Sequence, residues 1–292
     1  MNVSVVIRTL NESRHLNALL CGIAEQDYEG QVDTVIVDSG STDGTLEIAE
    51  AHKTNLLHIA KEEFSFGRSL NLGCAAASGD ALVFVSGHCI PASRSWLSEL
   101  VHPLRADGIV YCYGRQIGND ASRFSEKQIF AKYFPETSNI PQEGFFTNNA
   151  NSALLKRVWE NHPFDEQLTG LEDMHLARQL VLQGYRCAYV AEAPVFHLHN
   201  ESWRQVRRRF EREAIAMQHI MPEVHVTFSD FVRYVMSAIL FDFGAALRQK
   251  RFLAEAGEIV LYRLMQFWGS YRGNHIHRDI SRRRKEAYFY PR

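Results

Sequence analysis

An acidic pair, Glu172-Asp173, is the first candidate for proton-transfer chemistry in this chain. Apolar residues from Met174 onward repeat at helical spacing and Gly184 supplies a stop signal, so the pair opens a predicted helix. Unpaired amide groups and the helix dipole favour an ionised carboxylate in a first helical turn. We therefore expect Asp173 to accept a proton, with Glu172 as the less favoured base. The alternative is that both residues only cap the helix.

Two strand ends near the start of the chain carry short polar side chains. The first predicted strand continues into Arg8-Thr9-Leu10-Asn11-Glu12, and the second ends in Asp38-Ser39-Gly40-Ser41-Thr42-Asp43-Gly44-Thr45. Such side chains can bond a base or a ribose, while backbone amides ahead of a helix point at negative charge. Some of them are also ordinary turn and capping residues. Neither segment contains GxGxxG or the ending of a P-loop, which disfavours a dinucleotide dehydrogenase or a nucleotide hydrolase.

The elements that must position these residues alternate along the first half of the chain. Runs rich in Val and Ile alternate with helical patterns, which is typical of βαβ units and of a parallel sheet buried on both faces. Strands are predicted at Val3 to Ile7, Asp33 to Val37, Leu56 to Ile59, Ala81 to Ser86 and Gly108 to Gly114. Helices are predicted at Glu12 to Glu25, Thr45 to His52, Gly67 to Ala77 and Ser93 to Leu104. This is an open α/β sheet, in which ligands bind at the carboxyl ends of the strands.

The remaining chain changes character twice. From about Ser122 to His199 we expect longer loops, short strands and the Asp173 helix, lying over the carboxyl ends of the strands. Beyond Trp203 the sequence predicts helices at Ser202 to His219, Ser229 to Arg248 and Glu258 to Trp268. The second of these carries a stripe of Phe231, Val235, Ile239, Phe243 and Leu247. The stripe is a packing face against the catalytic domain or an interfacial membrane helix, and the two roles can coexist.

The composition is that of an ordinary globular protein, with 46% hydrophobic and 23% charged residues among 292. The five cysteines are scattered and lack a CxxC spacing, which favours free thiols in a reducing compartment. We expect no signal peptide and no bilayer-spanning run, and therefore a cytoplasmic location.

Charge is unevenly distributed, although the net charge is only −2. Residues 248–292 hold 11 Lys and Arg against four Asp and Glu, including the run Arg282-Arg283-Arg284-Lys285. A basic tail can meet nucleic acid, anionic lipid or only water. No segment resembles a nucleic-acid-binding module, so nucleic acid is not an expected partner.

Taken together, the motifs resemble those of family 2 inverting glycosyltransferases with a GT-A fold. The two strand-end segments match, and further matches follow in order at Phe66 to Asn71, Ala76 to Asp80, Phe146 to Ala153, Pro163 to Glu166 and Glu172-Asp173. The set most resembles bacterial enzymes that build surface polysaccharide, including rhamnosyltransferases. The resemblance implies a GT-A catalytic domain at 1–203, with a nucleotide-sugar-binding half at 1–120 and an acceptor half at 121–203. Residues 204–292 would form a C-terminal helical, basic region.

The resemblance also implies roles for individual residues. Thr9, Asn11 and Glu12 would border the nucleoside, Asp38 would accept from the base with Asp43 nearby, and Arg68 and Asn71 would approach the base or the diphosphate. An arginine suits phosphate because it is permanently charged and donates in pairs. Sugar contacts would come from Asn148, Asn149 and Trp203, although Trp203 could instead pack the C-terminal helices.

One motif departs from the family pattern. The fourth strand should end in a DxD-like triplet that coordinates a divalent cation, but this chain has Ser86-Gly87-His88. Imidazole is a softer ligand than carboxylate, so a site containing His88 should favour Mn²⁺ over Mg²⁺. His197 and His199 lie about where the family places a further histidine, and strand alternation should turn only one of them to the site. The three histidines would hold a metal or donate directly to the diphosphate.

The resemblance implies inverting transfer from a nucleotide sugar to a hydroxyl group, with Asp173 as general base. The expected acceptor is a lipid-linked surface glycan at the cytoplasmic membrane face, where an anionic surface would suit the basic tail. Two alternatives remain open at this point. One is a metal-independent transferase that uses a CMP-linked acid sugar, and the other is a scaffold that binds nucleotide or glycan without turnover. The donor sugar and the oligomeric state are not predicted.

Overall fold

The computed structural model describes residues 1–276 and residue 289. The Arg282-Arg283-Arg284-Lys285 run lies outside the described residues. The chain forms two compact units, which we describe separately. The first contains residues 1–119, 133–168 and 172–198, and the second contains residues 120–132, 169–171 and the chain from residue 199 onward.

The first unit is built on an eight-stranded mixed sheet with the order β3-β2-β1-β4-β7-β6-β8-β5. The strands are β1 (Val3–Thr9), β2 (Val32–Asp38), β3 (Asn55–His58), β4 (Ala81–Ser86), β5 (Cys89–Pro91), β6 (Ile109–Ile117), β7 (Asn151–Leu155) and β8 (Arg186–His197). Apart from Val32 at the start of β2, the Val, Ile and Leu side chains of β1, β2 and β4 are almost fully buried. Continuous apolar runs of this kind are typical of strands covered on both faces.

The helices are α1 (Ser13–Ala24), α2 (Thr45–Ala51), α3 (Phe66–Ala76), α4 (Trp96–Val101), α5 (Phe124–Tyr133), α6 (Lys156–Trp159), α7 (Glu172–Leu182), α8 (Trp203–Ile220), α9 (Phe228–Arg248) and α10 (Phe252–Asn274). The predicted strands and helices are thus confirmed, with ends shifted by up to six residues, as for α10. In the region from about residue 122 to residue 199 we expected longer loops and short strands. This region contains α5 and the strands β7 and β8, and β8 has 12 residues and is not short. None of the helices within residues 1–276 combines the length and apolar character needed to cross a bilayer.

Strand direction brings several chain segments to one edge of the sheet. β1 pairs in parallel with β2 and with β4, so that Thr9 lies opposite Asp38 and Arg8 opposite Ser86. β7 runs antiparallel to β4, with Asn151 opposite Val85. The amino end of β7 therefore reaches the edge at which the parallel strands end, and it brings the residues that precede Asn151 with it.

The second unit contains close helix packing and one buried ion pair. Capping boxes start α8 at Ser202 and α9 at Thr227. Arg263 donates from Nε and Nη2 to Asp242 at 2.7 and 2.8 Å, and the Ser125 hydroxyl also donates to Asp242 at 2.6 Å. Such a buried carboxylate requires these partners, because removing one would leave an uncompensated charge.

The apolar stripe predicted on α9 is mainly a packing face. Val235 and Ile239 are buried, Phe231 and Phe243 are half-buried, and Leu247 is exposed. Phe231 contacts Trp268 and Phe243 contacts Phe252, both on α10. The contacts of Phe231 and Phe243 are therefore with α10, whereas the sequence predicted packing against the catalytic domain.

Close contact between α8 and α10 generates a prediction about stability. A Cβ atom at Gly269 would lie 2.3 Å from the carbonyl oxygen of Arg207. We expect Gly269→Ala to lower the free energy of unfolding by about 1–3 kcal/mol, because the two helix backbones must separate. Urea denaturation measures this change.

The matched control is Gly257→Ala in the same helix, where a Cβ would meet nothing within 4 Å. This variant should raise stability by about 0.5–1 kcal/mol through reduced backbone entropy. Equal effects of the two substitutions would contradict the packing argument.

Candidate active site

Asp38 is a buried carboxylate that shapes the loop after β2. Its Oδ2 accepts from the Thr9 hydroxyl at 2.9 Å, and its Oδ1 accepts from the backbone N–H groups of Gly40 and Ser41 at 2.8 and 2.9 Å. The Ser41 hydroxyl also donates to Oδ2. A carboxylate has about four acceptor positions. All of them are filled from within the protein, so bonding to a base would require Ser41 or Thr9 to give way.

The turn between β2 and α2 is held against the end of β1 by two further side chains. Asp43 accepts from the hydroxyl groups of Ser13 and Thr45 at 2.8 and 2.6 Å. Burial opposes ionisation of Asp43, but the hydrogen bonds from Thr45 and Ser13 outweigh it and lower the pKa. Asn11 has a left-handed backbone with φ 58° and accepts at Oδ1 from the Thr42 N–H at 2.9 Å. The two predicted nucleotide-binding segments therefore meet at the carboxyl ends of β1 and β2.

A chain of four side chains links the ends of β1, β4, β6 and β8. His88 donates from Nδ1 to Glu12 Oε1 at 2.8 Å, and its Nε2 lies 3.2 Å from Nε2 of His197. His197 in turn donates from Nδ1 to Gln116 Oε1 at 2.6 Å. The two imidazole rings are stacked with centroids 5.1 Å apart.

This arrangement fits a shared cation. With both Nδ1 atoms donating to oxygen atoms, the Nε2 atoms of neutral rings present lone pairs to each other. Two lone pairs at 3.2 Å repel unless a proton or a metal ion lies between them. The partner on each Nδ1 also fixes the ring orientation, as is usual for histidines that bind metals. His88 and His197 are thus a suitable ligand pair, and Gln116 is a supporting residue that sequence reasoning missed.

His199 belongs to the second unit, where it contacts two glutamates. It donates from Nδ1 to Glu126 Oε1 at 2.7 Å, and the ligand atoms of Glu126, His199 and Glu201 lie within 4.8 Å of one another. Arg209 donates from Nε and Nη2 to Glu201. Burial opposes ionisation of Glu201, but the charge of Arg209 lowers its pKa to about 2. Since Arg209 already neutralises Glu201, this group resembles a structural ion-pair network.

Asp173 is buried at the start of α7 and held by two backbone amides. The Asn149 N–H donates to its Oδ2 at 2.7 Å, and the Met174 N–H donates to its Oδ1 at 2.7 Å. We expected the helix terminus to keep this carboxylate ionised. Burial and the neighbouring Glu172 charge instead raise the pKa of Asp173 to about 7, against the effect of these hydrogen bonds. Desolvation prevails here because the side chain has almost no access to water.

Arg8 holds the other member of the acidic pair. Its Nη1 lies 3.2 Å from Glu172 Oε1, and its guanidinium lies over the Phe66 ring at 4.9 Å. Glu172 is almost fully buried. Arg8 was not selected from the sequence as a site residue, because its partner lies 164 positions away. The Glu172 carboxylate is thus tied to β1 by an ion pair.

Asn71, a predicted nucleotide contact, clamps α3 to the segment from Trp159 to Glu166. Its Nδ2 donates to the Phe164 carbonyl and to Glu166 Oε1 at 2.9 and 3.0 Å. Its Oδ1 accepts from the Trp159 indole and from the Phe164 N–H, both at 3.0 Å. All four hydrogen-bonding positions of the amide are therefore used within the first unit. Arg68, on the same helix, is half-exposed with Glu63 as its partner at 3.6 Å.

The three predicted sugar contacts are placed differently from one another. Asn148 accepts at Oδ1 from the Ala150 N–H. The buried Asn149 accepts from the hydroxyl groups of Tyr111 and Ser152, both at 2.6 Å. No acceptor for its Nδ2 is found among the described residues. In the second unit, the guanidinium of Arg123 covers the Trp203 ring at 3.6 Å, so this face of the indole is not open to a sugar.

The fold is that of the GT-A glycosyltransferases, as the resemblance implied. The structure matches the mannosyltransferase PcManGT of Pyrobaculum calidifontis, solved with GDP-Man and Mn²⁺. The TM-score is 0.63 at 18% identity, over 92% of this chain and 84% of that chain. Residues 4–162 match the glycosyl transferase family 2 domain, and the chain belongs to that family.

Two curated relatives act on bacterial O-antigen. The chain is 30% identical over 187 residues to the O-antigen chain rhamnosyltransferase WbaN of Salmonella anatum, which covers 60% of this chain and 59% of WbaN. It is 28% identical over 224 residues to the O-antigen chain rhamnosyltransferase RfbN of Salmonella typhimurium, which covers 72% of this chain and 70% of RfbN. The alignment with WbaN thus spans less than two thirds of that protein.

The Asn71 clamp yields a prediction about the stability of the fold. We expect Asn71→Leu to lower the free energy of unfolding by at least about 2 kcal/mol, because it leaves buried donors and acceptors without partners. Urea denaturation measures the loss.

Arg68→Leu on the same helix is the control, and its stability should change by less than about 0.5 kcal/mol. An unchanged free energy of unfolding for Asn71→Leu would contradict the stabilising role of the Asn71 side chain.

Proposed function

We propose that this protein is an inverting glycosyltransferase that moves a sugar from a nucleotide-sugar donor to a hydroxyl group of a bacterial surface glycan. The observation that carries the proposal is Asp173, a buried carboxylate at a helix start whose pKa is raised to about 7. A general base is most effective when its pKa lies near the working pH. The rhamnosyltransferase relatives favour a deoxyhexose such as rhamnose as the transferred sugar.

In the proposed reaction, Asp173 takes the proton of the acceptor hydroxyl. The acceptor oxygen forms a bond to the anomeric carbon from the face opposite the nucleotide. The bond from that carbon to the diphosphate oxygen breaks, and its electron pair leaves with the diphosphate. The configuration inverts, and no covalent enzyme intermediate is needed. The Asn149 N–H orients the Asp173 carboxylate, while Arg8 keeps Glu172 from competing for the proton.

We propose that the nucleotide lies over the carboxyl ends of β1 and β2. The loop held by Asp38 and Asp43 would present Thr9, Asn11 and Glu12, and the half-exposed Arg68 would contact the diphosphate. The backbone amides of the loop after β2 are partly used by Asp38. This use favours a role for Asp38 in shaping the pocket over direct bonding to the base.

A divalent cation would be held by His88 and His197. When bound, it would supply positive charge against the departing diphosphate. Nitrogen ligands favour Mn²⁺ over Mg²⁺. His199 is the third histidine that the sequence predicts for this site. Its Nδ1 donates to Glu126 in the second unit, and its role as a ligand stays a prediction.

The acceptor that we propose is a lipid-linked saccharide at the cytoplasmic face of the membrane. The O-antigen relatives and the basic C-terminal region support it. Residues 1–203 would then form the catalytic domain that carries out the transfer. Residues 204–292 would help to bind the membrane acceptor.

Replacement of the proposed base is the direct test. We expect Asp173→Asn to reduce kcat by at least about 100-fold, because proton removal from the acceptor is lost. Transfer is measured with a nucleotide-sugar donor and a membrane acceptor fraction. Donor binding, followed as the rise in Tm on adding nucleotide, should stay within twofold of the unsubstituted protein in apparent affinity. Undiminished turnover would remove Asp173 from the mechanism.

The same Tm assay discriminates between the alternatives. UDP, GDP, dTDP and CMP are added in turn with EDTA, Mg²⁺ or Mn²⁺, since a ligand of the native state raises its stability. A shift with one diphosphate that requires Mn²⁺ supports the histidine site. A shift with CMP that resists EDTA favours an acid-sugar donor, and no shift with any nucleotide contradicts a nucleotide-dependent transferase.

The pH dependence follows from the raised pKa of Asp173, which is about 7. The base is active when ionised, so kcat/KM should rise with pH through about 7 and level off above it. Below this range kcat/KM should fall about tenfold for each pH unit. Initial rates at subsaturating donor, measured from pH 5.5 to 8.5, test this. A flat profile would contradict the assignment.

A further inference from the structure

The side chain of Glu12 does not cap the helix that it precedes. Glu12 is the N-cap residue of α1, a position at which a side-chain oxygen ordinarily accepts from an amide of the first turn. Within the described residues its carboxylate makes no such bond. Its Oε1 instead accepts from Nδ1 of His88 at 2.8 Å, in the turn between β4 and β5. The carboxylate of Glu12 therefore serves His88 and not its own helix.

Gly87 makes room for this contact. A Cβ atom at this position would lie 2.8 Å from Cγ of Glu12, which is closer than van der Waals contact allows. The backbone of Glu12 is fixed as well, since its N–H donates to the Thr45 hydroxyl at 2.8 Å. The side chains of His88 and Glu12 are 26% and 19% exposed, so the pair is partly shielded from water. The end of β4 is thus built around the Glu12 side chain.

The two histidines of the candidate cation site have different partners on Nδ1. His88 donates to the carboxylate of Glu12, whereas His197 donates to the amide oxygen of Gln116. A carboxylate that accepts from Nδ1 makes the opposite nitrogen of the ring a stronger electron donor, and it adds a negative charge that an amide does not carry. His88 is therefore the stronger of the two ligands that this site offers to a cation.

We propose that Glu12 is a positioning residue that acts on the cation site through His88 and supplies the negative charge that an aspartate would bring to the end of β4. Glu12 was predicted to border the nucleoside, and the contact with His88 gives it this further role. The atom that faces the cation stays nitrogen, which favours Mn²⁺ over Mg²⁺. The inference rests on the cation site of the proposed function. It goes beyond that site because it explains how a neutral ring replaces a charged ligand.

The test is a titration of the full chain with Mn²⁺, in which electron paramagnetic resonance measures the free ion. Glu12→Gln keeps an acceptor oxygen for Nδ1 of His88 but removes the charge. We expect it to raise the Kd for Mn²⁺ by about tenfold or more. The matched control is Glu25→Gln, which removes the same charge from an exposed residue at the other end of α1. Its Kd should stay within about twofold, because a charge about 20 Å away along the helix is screened.

A second pair of variants separates an action through His88 from the effect of a remote charge. His88→Asp places a ligating carboxylate directly at the end of β4 and leaves no ring N–H for Glu12 to accept. In this background we expect Glu12→Gln to change the Kd for Mn²⁺ by less than about threefold, so that the two substitutions are coupled. His88→Asp should also bind Mg²⁺ better relative to Mn²⁺, because oxygen replaces nitrogen. Competition of Mg²⁺ against Mn²⁺ measures this change.

Three results of the titrations would overturn the proposal. The unsubstituted chain could bind no Mn²⁺, either alone or with UDP, GDP or dTDP present. Glu12→Gln could bind Mn²⁺ as well as Glu25→Gln does. Glu12→Gln could also weaken binding equally with His88 and with Asp at position 88, which would make Glu12 a remote charge that acts independently of the ring.

Melting experiments exclude a merely structural role and keep the two proposals apart. In EDTA, the Tm of Glu12→Gln should lie within about 2 °C of the unsubstituted chain, and loss of the fold in EDTA would overturn the proposal. The rise in Tm that a nucleotide causes in EDTA reports on the transferase site without the cation. A chain that responds to nucleotide but not to Mn²⁺ would retain the proposed function and contradict this inference. A chain with the expected Mn²⁺ results but no nucleotide response would do the reverse.

Discussion

The site depends on the register of β1 between two parallel partners. Thr9 lies opposite Asp38 of β2, and Arg8 lies opposite Ser86 of β4, so the three strands end at one level. A slip of one residue would turn every side chain of β1 to the other face of the sheet. The buried Val and Ile side chains on both faces forbid this slip. Core packing therefore fixes the contact between Thr9 and Asp38, and Glu12 reaches His88 for the same reason.

The direction of β7 places further residues of the site at the carboxyl ends of the parallel strands. Because β7 is antiparallel to β4, its amino end brings Asn149 to the carboxyl ends of the parallel strands. The backbone N–H of Asn149 then meets Asp173, and its side chain accepts from Tyr111 and Ser152. A backbone donor is not removed by substituting a side chain. The position of the proposed base is thus set by sheet topology more than by any one neighbouring residue.

Local patterns in the sequence predicted most elements of the fold but fewer contacts of the site. The first strands and helices have strong apolar periodicity, and their motifs placed Thr9 and Asp38 at the neighbouring strand ends where the two side chains form a hydrogen bond. The contacts of Asn71 and Trp203 are with partners far along the chain, which local spacing does not encode. The direction of β7 and the partner of Arg8 were missed for the same reason. The protonation of Asp173 depends on burial, which only the folded structure defines.

The burial of Asp173 also links reactivity to the stability of the fold. The folded chain holds the proton of this carboxyl more tightly than an unfolded chain would, because its pKa is raised to about 7 from 3.8. The contribution of this group to the free energy of unfolding is therefore fully present below the ordinary carboxyl pKa, and it is lost as the pH rises towards 7. The ionised form that a base requires is the form that the native state accommodates least well. A neutral residue at this position would consequently stabilise the fold at neutral pH while removing the carboxylate that the proposed chemistry requires.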